Sequence, residues 1–379
     1  MSVIQFIRIL GWLPISTLSR HQIQFLFLFQ MKIDSTIKII KGYARSILFH
    51  PIKKEVHFIP NIFADILLEN SYFDIEALIK KYGNENISVL NEYYQFLIHE
   101  NYFVDSISNI KDISEDFNEP FRISTAIIEV SSVNTNTVHK ALSKLDELLC
   151  VSIELRFVES VDLNLLEKTI QLVEKTSIKS INVIIPFHKS LSDNTAIEKM
   201  VMTYLRLNVV SIHTSPENKV LKYLNGSTSI IYSTKIFDSI LSCGVIGEHS
   251  YSYERYLEAK LHNTCLHKKV SILKDGTIKN CPSLDRSYGN INDASLENII
   301  ASSDFMKLWN VSKDKIQKCK DCEFRYFCYD CRAFLERPFD AYSKPLKCGY
   351  DPYTNEWENW SANPIKQHIF EQYAKRLTI

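Results

Sequence analysis

Apolar positions recur along this chain with two different periods, and the places where the period changes divide it. In "IKIIKGYARSILFHPIKKEVHFIP" the pattern reads as two strands joined by a basic turn, ended by Pro60-Asn61. The next three runs, "IFADILLEN", "DIEALIKKYG" and "VLNEYYQFLIHENYF", carry apolar residues at helical spacing, and Ile62, Ile66 and Leu67 share one face of the first. Gly83, shortly after Lys80-Lys81, takes the place of a helix C-cap. Together these residues predict a small winged-helix-like module over 31–110. The polar, acidic "SISNIKDISEDFNEPF" links it to the middle of the chain.

Beyond that linker the period alternates: "RISTAIIEV", "VHKALSKLDELL", "VSIELRFV", "NLLEKTIQLVEKT", "SINVIIPF", "AIEKMVMTYLRL", "VVSIHTS", "STSIIYS". Short β-branched runs between helical segments predict βαβ units on a parallel sheet, about five strands in all. This describes a partial (β/α) barrel-like domain over 120–243. At its strand ends Glu154, His188 and His213 are the candidates for chemistry, and each reads as an ordinary surface or packing residue. From Gly244 the tyrosine-rich "HSYSYERYL" opens a cysteine-rich domain over 244–360, and 361–379 read as a C-terminal helix. Inside that domain "VSILKDGTIKNC" predicts a hairpin with an Asp-Gly turn between Val270-Ile272 and Ile278. The expected fold class is α/β, with these three parts in chain order.

Composition narrows the function. Lysines plus arginines equal aspartates plus glutamates, 44 each in 379 residues, so no global field draws nucleic acid or an anionic membrane. Nine glycines, none in a G-x-G-x-x-G or G-x-x-x-x-G-K-[ST] pattern, leave no phosphate-cradling loop. The apolar opening is broken by Arg8 and by Arg20-His21, so stable membrane insertion is not expected. Residues 1–30 read as an apolar extension lying on a membrane surface, or as a start set too early with Met31 the real beginning.

Cysteine placement is lopsided. Cys150 and Cys243 stand apart, whereas Cys265, Cys281, Cys319, Cys322, Cys328, Cys331 and Cys348 crowd toward the C-terminus. Paired C-x-x-C units in a large chain point to metal and to a reducing, cytoplasmic compartment rather than to disulfides. A tight C-x-x-C turn aims both sulfurs at one centre, and the hairpin sets Cys265 and Cys281 on adjacent strand ends. Seven thiolates with His262 or His267 could supply two tetrahedral zinc sites. They also divide as four plus three between two iron–sulfur clusters, one with an open position. Spacing alone leaves both open.

The series Cys265…Gly276-x4-Cys281…Cys319-x2-Cys322-x5-Cys328-x2-Cys331…Cys348, with "YGNINDASLENII" between the groups, resembles the SPASM domain of radical SAM peptide maturases. It departs from that family in having two residues, Tyr329 and Asp330, where three usually precede the last cysteine of the quartet. The resemblance implies two 4Fe–4S clusters, one on Cys319, Cys322, Cys328 and Cys348, the other on Cys265, Cys281 and Cys331 with its fourth position unassigned. Radical SAM enzymes also carry C-x3-C-x2-C after the first barrel strand. The corresponding "SSVNTNTVHKAL" has no cysteine, and Cys150 and Cys243 are too few to rebuild it, so SAM binding and cleavage are not expected. A barrel-like middle without that site, together with "KCGYDPYTNEWE", resembles the SPASM protein of grasp-with-spasm peptide systems. That implies a ribosomally made precursor peptide and an ATP-grasp ligase as partners, with residues 31–110 as the leader-peptide recognition element. The competing expectations are a zinc-binding or structural-cluster peptide-binding module without a redox role, and a degenerate radical SAM enzyme. On the iron–sulfur expectation, changing Cys150 or Cys243 leaves the iron content alone.

Overall fold

The computed structural model describes residues 31–104, 115–117, 119–159, 163–191, 193–237, 242–247 and 249–377. The apolar opening and most of the acidic linker lie outside them. In the N-terminal part, β1 (Met31–Ile33) and three further strands, β2 (Lys38–Lys41), β3 (Ser46–His50) and β4 (Glu55–Ile59), precede the helices α1 (Asn61–Glu69), α2 (Ile75–Tyr82) and α3 (Ile87–His99). Strands β2, β3 and β4 form an antiparallel meander, and β1 pairs between β5 (Tyr72–Phe73) and β6 (Phe103–Val104). The two strands read in "IKIIKGYARSILFHPIKKEVHFIP" are therefore three. A turn at Gly42–Arg45, closed by the Gly42 N–H donating to the Arg45 carbonyl at 3.0 Å, precedes the basic one. The side chain of Asp74 accepts from the Ala77 N–H to start α2, and Gly83, at φ +94°, ends it as its position predicts.

All five residues of β3 are buried, which a sheet with one wet face would not allow. Leu48 turns toward the helices and packs with Phe63, Ala64 and Leu97, while Ile47 and Phe49 turn the other way against Phe324, Phe327 and Tyr350. The module is thus docked on the cysteine-rich region. At the contact Arg45 Nε donates to Glu323 Oε1 at 2.7 Å, and the Tyr43 N–H donates to the Asp321 carbonyl at 2.8 Å. Glu323 is fully buried and also accepts from the Tyr350 hydroxyl. Removing Arg45 leaves that carboxylate with a single neutral donor. Arg45→Ala is expected to cost about 2 kcal/mol, as for a lost hydrogen bond to a buried charge, and thermal unfolding should show it.

The middle part alternates β7 (Thr125–Val130), α4 (Thr135–Glu147), β8 (Ser152–Phe157), α5 (Leu163–Glu174), β9 (Ser180–Pro186), α6 (Thr195–Thr203), β10 (Leu207–His213), β11 (Lys219–Tyr223) and β12 (Thr228–Tyr232). The C-terminal region begins with α7 (Tyr253–Leu261) and adds the hairpin β13 (Lys269–Ile272) and β14 (Ile278–Lys279) to the same sheet. Strand order is β11-β12-β10-β9-β8-β7-β13-β14, parallel from β12 through β13, with antiparallel strands at both edges. It is an open sheet with helices packed on one face. Ile153, Leu155 and Phe157 of β8 are buried beneath them, and the intervening Ser152, Glu154 and Arg156 are only half-buried. Strand β11 is an addition to the expected set.

After the hairpin come α8 (Leu296–Ala301), α9 (Ser303–Met306), the short pair β15 (Tyr350–Asp351) and β16 (Glu356–Trp357), and α10 (Pro364–Leu377). Between Lys313 and Gly349 the backbone forms two 3₁₀ turns and isolated bridges only. No helix among the described residues is long and apolar enough to cross a membrane.

Candidate metal centres

The loop-rich stretch holds the first group of thiols. Cys319 opens a 3₁₀ turn, and the Cys322 N–H donates back to its carbonyl at 3.0 Å, giving the tight C-x-x-C corner. Cys328 and Cys348 are fixed by bridges to one short segment, His249 to Cys328 and Ile246 to Cys348. These four cysteines line a single cavity with Lys313, Phe324 and Trp357. Burial pushes the thiol of Cys319 up to about 11 and that of Cys328 up to about 12, and raises Cys322 well above its ordinary value. Buried thiols in such surroundings ionise only when a cation compensates them. Lys313 supplies part of that compensation. Burial opposes its charge, but the thiols of Cys328 and Cys319 and the carboxylate of Asp330 outweigh it and hold the ammonium protonated.

The second group sits on the hairpin. Cys265 precedes β13 and Cys281 follows β14, so the antiparallel pairing brings the two back to one end. The turn forms at Asp275-Gly276 as predicted, with Gly276 at φ +87°. A Cβ on Gly276 would lie 2.5 Å from Asn290 Oδ1, so only glycine fits beneath the returning chain. Cys331, in the loop region, lies within electrostatic reach of both; burial, the larger effect, and then Cys265 and Cys281 raise its thiol to about 12. Lys269 Nζ lies 4.0 Å from Cys265 Sγ.

A buried polar bridge joins the groups. Asp330 Oδ1 accepts from Arg332 Nη2 at 2.5 Å and lies 3.6 Å from Lys313 Nζ, while Asp330 Oδ2 accepts from Asn263 Nδ2 at 2.6 Å. Asn263 Oδ1 in turn accepts from the Cys265 and Leu266 N–H groups at 3.0 and 2.9 Å. Lys313, Asp330, Arg332 and Asn263 are all buried. The chain of contacts therefore runs from the lysine beside the four-thiol cavity to the backbone of the hairpin cysteine. Nothing in the sequence pattern singles out Lys313 or Asn263, and Asp330 stands there only as a spacer. Its position inside a C-x-x-C unit is the one signal that could have found it.

The other candidates separate cleanly. Cys150 is buried in the sheet core, its Sγ donating to the Ser152 carbonyl at 3.4 Å. Cys243, set apart by spacing, instead packs beside Cys331. Glu154 pairs with Arg156 at 2.5 Å on the half-buried sheet face, His188 is exposed against Ser190, and His213 Nδ1 is buried without a partner among the described residues. Below the sheet edge, Asn134 ties the segment after β7 to the hairpin, donating to the Glu129 and Lys274 carbonyls.

Sulfur spacing bears on the metal. Tetrahedral zinc holds its sulfurs about 2.3 Å from the ion and so roughly 3.8 Å from one another. Among the described residues no three thiol sulfurs lie within 4.8 Å of each other, and the one such group of ligand atoms is Glu55, His57 and Glu100. A cage that places each thiolate on a different iron needs the wider spacing. His262 and His267, the extra ligands of the zinc reading, are stacked on one another at 3.8 Å and face Asn310 and Glu258. The all-thiolate donor set lining the four-cysteine cavity is of the kind that iron–sulfur clusters take.

The chain is α/β, with a parallel-rich sheet and a cysteine-rich C-terminal region. Residues 265–323 match the SPASM family, described as an iron–sulfur cluster-binding domain. The match takes in Cys265, Cys281, Cys319 and Cys322 and stops before Cys328. No curated protein matches the chain. Two solved structures are similar to it, native anSMEcpe with bound AdoMet and a histidine-tagged form of anSMEcpe with bound AdoMet. Each is 11% identical and covers 67% of this chain and 97% of its own, with TM-scores of 0.37 and 0.33.

Proposed function

We propose that this chain is a two-cluster iron–sulfur protein that works in the maturation of a ribosomally synthesised peptide beside an ATP-grasp ligase. Its part is to bind the precursor and present it. The observation that supports the reading is the cavity shared by Cys319, Cys322, Cys328 and Cys348, with Cys331 within electrostatic reach of Cys265 and Cys281, in the order of the SPASM motif. Cys319, Cys322, Cys328 and Cys348 would hold one 4Fe–4S cluster, and Cys265, Cys281 and Cys331 three corners of the other. Bound there, the clusters supply electron transfer or a Lewis-acidic iron. The protein's own residues do the rest: Lys313 and Lys269 offset thiolate charge, and the Asp330 bridge fixes one group relative to the other.

Peptide capture is supported by the N-terminal module. Its meander leaves β2 and β4 at the edges, and an edge strand offers a row of backbone donors and acceptors to an extended peptide. The turn between β2 and β3 rests on the four-thiol region, so a peptide added to this sheet would lie close to the first centre. The half-buried, polar sheet face carrying Glu154 and Arg156 gives the core peptide a surface near the second. The segment after β7 offers no thiol for a SAM-activating cluster, so the chain is expected to modify nothing by radical chemistry on its own.

Co-expression of the chain with an ATP-grasp ligase and its precursor peptide, read by mass spectrometry, tests the role. Loss of water from the precursor that depends on this chain is expected. Identical precursor masses with and without it would contradict the proposal.

A further inference from the structure

We propose that Cys243 is the fourth thiolate of the hairpin centre, completing the set begun by Cys265, Cys281 and Cys331. The inference rests on the two-cluster reading, in which three thiolates leave one corner of that cluster without a protein ligand.

Four observations converge on this residue. First, the backbone next to Cys243 touches the sulfur of Cys331: a Cβ on Gly244 would lie 2.8 Å from Cys331 Sγ and 3.2 Å from its Cβ. Gly244 sits at φ +75°, so both its conformation and its lack of a side chain allow that approach. Neighbouring Cα atoms are about 3.8 Å apart, which places Cys243 one residue step from the sulfur. Second, the Cys243 side chain packs against the cluster of Cys331, Phe334, Leu346 and Tyr373. Third, Arg156 lies within electrostatic reach of both Cys243 and Cys281. Fourth, the segment is held in place: Lys347 Nζ donates to the Cys243 carbonyl at 2.6 Å, and three residues on Ile246 bridges to Cys348. The same short strap therefore runs from one thiol group to the other, with Cys243 at the hairpin end.

The proposal departs from the expectation that Cys243 stands outside the metal sites. Twenty-one residues separate it from Cys265, too far for any local motif to flag. Only the fold brings it back.

The test uses the full chain, reconstituted anaerobically, as wild type, Cys243→Ala, Cys243→Ser and the core control Cys150→Ala. Each is reduced and its electron paramagnetic resonance recorded with and without cyanide, a small ligand that binds an iron lacking a protein donor. Each is then mildly oxidised and its iron counted. Wild type and Cys150→Ala should ignore cyanide and keep their iron. Cys243→Ala should show a cyanide-dependent change in about half of the signal and, on oxidation, a three-iron signal with iron falling from about eight to about seven. Cys243→Ser, close in volume and offering an oxygen donor, should shift the spectrum without losing the fold. If wild type already responds to cyanide, or if Cys243→Ser matches wild type in every readout, the assignment is overturned. Wild type without iron would instead overturn the two-cluster reading beneath it.

Discussion

Cys322→Ala is expected to remove about half of the iron, from roughly eight atoms per chain to roughly four, and to destabilise the C-terminal region severely. Cys322 forms the C-x-x-C corner with Cys319 and lines the cavity shared by all four thiols. With one corner gone, the remaining buried thiols revert to their neutral forms, since burial already holds Cys319 and Cys328 well above their ordinary range. The mechanical consequence comes from the backbone. From Lys313 to Gly349 only two 3₁₀ turns and isolated bridges organise the chain, so a bound metal would replace secondary structure as the fastener. Structural zinc in small domains contributes about 10–16 kcal/mol to the folded state, and the same coupling of metal to folding should make the loss of one ligand here strongly destabilising. The damage should spread to the N-terminal module, whose Ile47 and Phe49 share a core with Phe327, Cys328 and Cys348. Iron analysis and thermal unfolding on one sample check both halves. Unaltered iron together with an unaltered melt would remove Cys322 from the ligand set.

Asp330→Ala should be nearly as damaging, while leaving every thiol in place. The carboxylate lies between the buried cations Lys313 and Arg332, and accepts from Asn263 on its other oxygen. Deleting it leaves the buried Arg332 without its carboxylate and Lys313 with the thiols alone, and breaking a buried pair of this kind typically costs about 3–5 kcal/mol. Asn263 would also lose the partner that holds it beneath the Cys265 N–H. The prediction is a large fall in melting temperature, with weakened iron retention at both centres rather than at one. Asp330→Asn keeps the shape and the contact to Asn263 but not the charge, and should fall between wild type and alanine. Equal melting curves for all three proteins would show that the bridge carries no weight.

Much of this organisation is legible in the residues themselves. The hairpin is readable because Asp275-Gly276 is a strong local turn signal between β-branched runs, and the structure forms it there. The βαβ alternation is readable because short β-branched runs recur between helical segments, and β7 through β10 fall on those runs. Other features depend on contacts no local pattern records. The turn at Gly42 splits one expected strand into two because the strand on its far side, β3, is buried from both faces by parts of the chain distant in sequence. Strand β11 escapes notice since Lys219 and Lys222 bracket only two apolar residues, on an edge strand that is half-exposed. The seven motif cysteines announce themselves by spacing. Cys243, Lys313 and Asn263 cannot, because their relation to the thiols exists only after folding.

The most direct measurement is iron, acid-labile sulfide and zinc on the chain purified without oxygen. The account predicts a brown protein with about eight irons and about eight sulfides and no stoichiometric zinc. A colourless protein holding zinc in place of iron would contradict it.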